Sequence, residues 1–171
     1  IKALVKSVPD IQFKPDKMMI ISPDEGGMGR SIYYSPVLGV NLGMYYKRRD
    51  YSTIVNGRNP IVAHEFLGES VEGKDLIIVD DMISSGDSVL DIAKDLKARK
   101  ANRIFVATTF GLFTDGPKKF DEAYEQGLIT KVFTTNLNYR TEEIRNRDWY
   151  CEVDMSKYIA YIIDTLNHDQ S

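Results

Sequence analysis

The sequence of 171 residues holds a single cysteine, Cys151, so no disulfide can close within it. Its two histidines, His64 and His168, lie far from that thiol, and no Cys/His cluster has the spacing of a zinc site. No apolar run approaches the ~20 residues of a membrane-spanning helix, so no membrane association is expected. Charge of one sign is also missing. The 22 basic and 25 acidic residues leave a net charge of −3, without a long basic run or a basic-aromatic stripe, so nucleic acid is not an expected partner. Low-complexity tracts and internal repeats are absent. A reducing, cytoplasmic setting is the expectation.

What remains is an ordinary globular composition, 43% apolar and 27% charged, long enough for one domain over residues 1–171. Short, almost wholly apolar runs recur at Met18 to Ile21, Leu42 to Tyr46, Leu76 to Val79, Ile104 to Thr108 and Val132 to Thr134. Such runs predict strands covered on both faces. Helical spacing lies between them. Val89, Ile92, Ala93 and Leu96 mark one buried helix face; Phe120, Ala123 and Tyr124 mark another, with Gly127 placed to end it. A third stripe runs through Met155, Tyr158, Ile159, Ile162 and Leu166, with Asp154 or Ser156 as its cap. Strands alternating with helices predict an α/β fold, a mostly parallel twisted sheet flanked by helices. Ligands of such sheets bind beyond the carboxyl ends of the strands.

The most informative segment is Leu76-Ile77-Ile78-Val79-Asp80-Asp81-Met82-Ile83-Ser84-Ser85-Gly86-Asp87-Ser88. An apolar strand runs into two carboxylates, then a hydroxyl- and glycine-rich loop, then an amphipathic helix. The loop offers backbone N–H groups, the hydroxyls of Ser84, Ser85 and Ser88, and a helix N-terminus, all suited to a phosphate. The helix end alone contributes only ~0.3–1 kcal/mol toward an anion, so converging loop donors must supply most of the grip. Asp80 and Asp81 would repel a phosphate. They fit a role on sugar hydroxyls, or on Mg²⁺ through its water shell.

A second strand-to-loop junction is Met18 to Ile21 followed by Ser22-Pro23-Asp24-Glu25-Gly26-Gly27-Met28-Gly29-Arg30. Asp24 stands just past the strand, where its carboxylate can reach a metal ion carried by a nucleotide or simply cap a helix. A third is Tyr45-Tyr46-Lys47-Arg48-Arg49-Asp50, a basic triplet entering a long polar loop with a turn at Asn56-Gly57. A decoy lies at Gly68 to Asp75, close to a nucleotide-binding P-loop pattern. It has Asp75 where Ser or Thr is needed, and it precedes a strand instead of following one.

These three junctions, in this order and spacing, resemble the ribose-phosphate pyrophosphokinases, enzymes of the phosphoribosyltransferase fold. The resemblance covers about residues 1 to 135, and more loosely the tail from Asn136 to Ser171. It implies transfer of pyrophosphate from ATP to ribose 5-phosphate, with Mg²⁺ as cofactor and Asp24 as a metal ligand. Lys47 and Arg49 would be catalytic. Asp80 and Asp81 would hold the ribose hydroxyls, and Ser84, Ser85, Gly86, Asp87 and Ser88 the 5-phosphate. It also implies an N-terminal half of similar fold, supplying a His ligand and much of the ATP site, and a homo-oligomer. His64, in a strand or loop, is expected to be a packing or surface residue.

Four positions depart from the family pattern. Ser84 stands where an Asp is usual, Asp87 where a small residue or Gly is usual, and Tyr46 where Asp is common. Pro36 falls in a stretch that is helical in the family, which predicts a helix that ends early or kinks. Two rivals share the Asp80 to Ser88 loop: a phosphoribosyltransferase acting on a nucleobase, and a non-catalytic regulatory homologue.

Overall fold

The computed structural model describes the backbone of residues 1–49 and 61–168, and the side chains of residues 1–46 and 65–168. The strands are β1 (Met18–Ser22), β2 (Asn41–Arg49), β3 (Ile61–Leu67), β4 (Asp75–Ile83), β5 (Ile104–Gly111), β6 (Lys131–Thr135) and β7 (Tyr150–Val153). They form one sheet in the order β3-β2-β1-β4-β5-β6-β7. Every pair is parallel except β2 with β3. The helices are α1 (Lys2–Ser7), α2 (Met28–Leu38), α3 (Asp87–Ala98), α4 (Lys118–Glu125), α5 (Glu142–Arg145) and α6 (Ser156–Asn167).

The apolar runs have their explanation in two cores, one on each face of the sheet. Met19, Ile21, Leu76, Ile78, Ile104 and Val106 point to one face, where α3 and α4 pack. Met18, Ile20, Ile77, Val79 and Phe105 point to the other, with Leu4 and Val8 at the first helix. Successive strand side chains alternate faces, so a strand buried on both must be apolar throughout.

The helix stripes behave differently from one another. Val89, Leu90, Ile92, Ala93 and Leu96 of α3 are buried, as are Phe120 and Ala123 of α4, and Gly127 ends α4 with a φ of 68°. Tyr124 is partly exposed instead of buried. The α6 stripe is helical, but no α6 residue is buried. Its start is secured by Asp154, whose Oδ1 accepts the Ser156 N–H at 2.9 Å. Pro36 does not stop α2 at once. The helix runs two residues further to Leu38, then ends on Gly39 with a φ of 67°. Pro36 removes one helical N–H donor, and the left-handed turn at Gly39 closes the helix two residues after it.

Candidate functional site

Strand β4 extends further than its apolar run. Asp80 and Asp81 lie within it, and Asp80 pairs with Thr108 of β5. The chain leaves the sheet after Ile83, whose carbonyl accepts the Leu112 N–H at 2.9 Å; the Ser84 carbonyl accepts the Thr114 N–H at 3.0 Å. The loop after β5 thus braces the loop after β4. Gly86 then turns the chain into α3 with a φ of 90°, a conformation costly for any residue with a Cβ. A Cβ built there would meet the Phe120 ring at 2.3 Å. The result is a cleft of 220 Å³, lined by Asp24, Asp80, Asp81, Ser84, Ser85 and Ser88 among others. With Gly86, seven residues named from sequence therefore converge, and the α3 N-terminus opens on them.

The carboxylates are held by short local bonds. Asp80 Oδ1 accepts the Asp81 N–H at 2.8 Å, and Asp81 Oδ1 accepts the Met82 N–H at 2.8 Å. Asp24 Oδ1 accepts the Gly27 N–H at 2.9 Å, so it secures the entry to α2. Burial pushes the Asp80 carboxyl up to about 6, and the nearby negative charges of Asp81 and Asp24 push the same way. The influence of Asp24 on Asp80 places the β1 and β4 loop ends in one electrostatic neighbourhood.

One residue at this site carries no local signal in the sequence. Arg30, in the first turn of α2, donates from Nη2 to Asp80 Oδ1 at 3.2 Å, and its Nη1 lies 3.8 Å from Asp81 Oδ2. It offsets part of the repulsion between the two carboxylates. Its Nε is buried without a hydrogen-bond partner among the described residues. Arg30 and Asp80 also border a second, larger hollow of 550 Å³ on the opposite face of the sheet, lined by Ile20, Val79 and Phe133 among other apolar groups.

Mg²⁺ prefers oxygen ligands and keeps several waters, taking only one or two carboxylates from a protein. Asp24, Asp80 and Asp81 supply oxygen donors of that kind. Among the described residues no group of three or more His, Cys, Asp or Glu is placed to hold a metal ion by itself. One or two of these carboxylates would suit a Mg²⁺ that drew its remaining ligands from water or a bound molecule.

Lys47 and Arg49 stand at the far end of β2, and their backbone pairs with His64 and Ile61 of β3 across a register shift at Arg48/Arg49. The side chains of Lys47, Arg49 and His64, and all of residues 50–60, lie outside those described. His64 is thus in a strand. Tyr46 turns its hydroxyl to Glu65, its partner in the β2–β3 ladder. Asp87 does not face the cleft. Its Oδ1 accepts from Lys119 at 2.8 Å, and the resulting ion pair holds its carboxyl below the usual range.

The Phosphoribosyl transferase domain model matches residues 1–139. A ribose-phosphate pyrophosphokinase of Mycoplasma genitalium is 37% identical over 120 residues, which is 70% of this chain and 34% of that protein. One of Rhodopirellula baltica is 29% identical over 160 residues, 94% of this chain and 48% of the other. The chain thus spans a third to a half of the length of these curated relatives, and it corresponds to their C-terminal part. Among solved structures, phosphoribosylpyrophosphate synthetase from Mycobacterium smegmatis superposes with a TM-score of 0.74 at 23% identity, covering 91% of this chain and 47% of that one. An adenine phosphoribosyltransferase superposes with a TM-score of 0.51 at 20% identity, covering 77% and 72%. Both likenesses show the fold. With the loop geometry, the two-sided sheet and the match over residues 1–139 in agreement, the chain belongs to the phosphoribosyl transferase domain family.

Proposed function

We propose that this chain is the ribose 5-phosphate-binding half of a ribose-phosphate pyrophosphokinase, which converts ATP and ribose 5-phosphate to phosphoribosyl pyrophosphate and AMP for nucleotide biosynthesis. The observation that carries the proposal is the cleft where Asp80 and Asp81 meet the Ser84–Ser88 loop at the start of α3. A diol-binding pair beside an anion-binding helix end is the complement of a sugar phosphate. The names of the 37% and 29% identical relatives support this choice over a nucleobase transferase.

In the proposed reaction the anomeric oxygen of ribose 5-phosphate attacks the β-phosphorus of ATP. The bond from that phosphorus to the α-phosphate bridging oxygen breaks, AMP departs, and the attacking hydroxyl loses its proton. Such a transfer needs positioning and charge stabilisation more than a covalent intermediate. Ser84, Ser85 and Ser88, with the N–H groups that begin α3, hold the 5-phosphate. Asp80 and Asp81 accept hydrogen bonds from the ribose hydroxyls and so orient the anomeric oxygen. Asp24 would hold Mg²⁺, which when bound would neutralise phosphate charge. Lys47 and Arg49 close on the charge that develops during transfer. The ATP site is completed by an N-terminal half, in a cytoplasmic homo-oligomer.

The test is AMP formation dependent on ribose 5-phosphate, measured on the longest natural chain containing this segment. Lys47→Ala should lower kcat by a factor matching about 2.7–4 kcal/mol, the loss typical of one charge-stabilising donor. Chelating Mg²⁺ should abolish turnover. If the wild-type chain binds ribose 5-phosphate yet forms no AMP, the regulatory alternative takes its place. Nucleobase-dependent release of pyrophosphate from added phosphoribosyl pyrophosphate, with no AMP formed from ATP, would instead identify a transferase.

A further inference from the structure

Asp87 places a negative charge on the first residue of α3, where the helix end should receive a phosphate. A carboxylate at that position competes with an incoming anion for the same N–H groups and the same end of the helix dipole. The structure shows the carboxylate turned elsewhere. Asp87 contributes to the groove between α3 and α4, together with Lys119, Asp91, Lys94 and Glu122, whereas Ser84, Ser85, Gly86 and Ser88 line the cleft. Lys119 Nζ donates to Asp87 Oδ1 at 2.8 Å and to Asp115 Oδ2 at 2.7 Å, so it is fixed between two anions. Asp87 Oδ2 in turn accepts the Ser85 hydroxyl at 2.9 Å.

We propose that Lys119 is the positioning residue that allows this chain to carry Asp87 in its phosphate loop: the ammonium draws the carboxylate away from the start of α3 and leaves that end open to the 5-phosphate. This inference rests on the ribose 5-phosphate assignment made above. Lys119 touches no part of the cleft itself, so its effect passes through Asp87. Without the ammonium, the carboxylate gains by turning to the nearest N–H groups at the helix end, and it keeps a stronger hold on the Ser85 hydroxyl. Both changes oppose phosphate binding. An uncharged side chain at position 87 removes the need for Lys119 altogether.

The experiment is a double-mutant cycle on ribose 5-phosphate binding by calorimetry, using the longest natural chain containing this segment. Wild type, Lys119→Met, Asp87→Asn and the double variant are compared at low ionic strength. Lys119→Met should raise Kd about three- to fivefold, the size of an exposed charge contact. Asp87→Asn should bind at least as tightly as wild type, and the double variant should match Asp87→Asn. Lys119→Arg, which keeps the charge, should retain wild-type affinity. The Lys119→Met penalty should shrink in 0.5 M salt, where the charge is screened. A penalty that persists in the Asp87→Asn background, or no penalty at all, overturns the role of Lys119 while leaving the ribose 5-phosphate site intact. Failure of the wild-type chain to bind ribose 5-phosphate overturns the site assignment, and this inference with it.

Discussion

The Phe120 ring of α4 lies against the Cα of Gly86, so close that a Cβ on Gly86 would sit 2.3 Å from Cε2 and 2.6 Å from Cζ. The Ser84–Ser88 loop therefore takes its shape from two independent demands for glycine: no room beside the ring, and a φ of 90°. Gly86→Ala violates both. Strained backbone and an overpacked contact each cost about 1–3 kcal/mol. The expected drop in melting temperature is roughly 5–15 °C for a chain of this size, with loss of ribose 5-phosphate binding. Adding Phe120→Leu should relieve the contact but not the φ, and so recover only part of the loss. Full recovery would show that the backbone conformation is not the strained one described.

Phe120 is itself held from behind. Its ring stacks on Trp149 at 5.3 Å, and Phe113 lies 5.2 Å from Phe120 and 5.7 Å from Trp149. Trp149 is 1% exposed and donates from Nε1 to Asp121 Oδ1 at 2.7 Å. Trp149→Ala should cost about 3–5 kcal/mol of stability, as large aromatic truncations in cores do. Because Phe120 then loses its support against Gly86, ribose 5-phosphate affinity should fall as well, measured below the melting transition. Unchanged affinity would sever the aromatic cluster from the loop.

Asp80 gives the site a pH signature. Its carboxyl is raised from an ordinary 3.8 to about 6, chiefly by burial. A raised carboxyl means that the folded chain holds the proton more tightly than the unfolded one. Ionised Asp80 thus opposes folding above about pH 6, and that opposition fades as pH falls toward 3.8. Asp80→Asn should therefore raise the melting temperature at pH 7.5 in Mg²⁺-free buffer. The gain should diminish through pH 6 and nearly vanish by pH 4, while ribose 5-phosphate binding is lost at every pH. A gain independent of pH would mean that Asp80 is not the group titrating there.

Much of this was legible in the sequence, for a physical reason. Strands covered on both faces must be apolar throughout, so β1, β4, β5 and β6 announced themselves, and the loops after β1 and β4 could be searched for chemistry. The elements that escaped carry no such run. β7 is the short Tyr150-Cys151-Glu152-Val153, α1 has six residues, and β3 is an edge strand in which His64 and Glu65 interrupt the apolar pattern. Arg30 escaped because an arginine in a first helical turn gives no local sign of its partners. Asp80 and Asp81 are fifty residues further on, and only the parallel pairing of β1 with β4 brings the two loops together. The outward turn of Asp87 needed Lys119, which the chain supplies 32 residues later. The α6 stripe does form a helix, yet a stripe alone does not say what it packs against.

The opposite end of the sheet offers a control for all of these effects. Asp75 opens β4 at its amino end, nearly buried, and receives Arg103 Nη2 on Oδ2 at 2.6 Å and Asn102 Nδ2 on Oδ1 at 2.8 Å. Arg103 also reaches Asp10 at 3.0 Å, so one guanidinium ties together the segments that enter β1, β4 and β5. Asp75→Ala leaves Arg103 half paired and Asn102 without its acceptor. Losses for broken buried pairs begin at about 3 kcal/mol, and a decrease of that order is expected here by denaturant unfolding. Ribose 5-phosphate affinity, measured where the variant is still folded, should stay at the wild-type value, because the cleft lies at the other end of the same strand. The expected division is binding at the carboxyl end of β4 and stabilisation at the amino end. A variant that kept its stability but lost affinity would reverse that division.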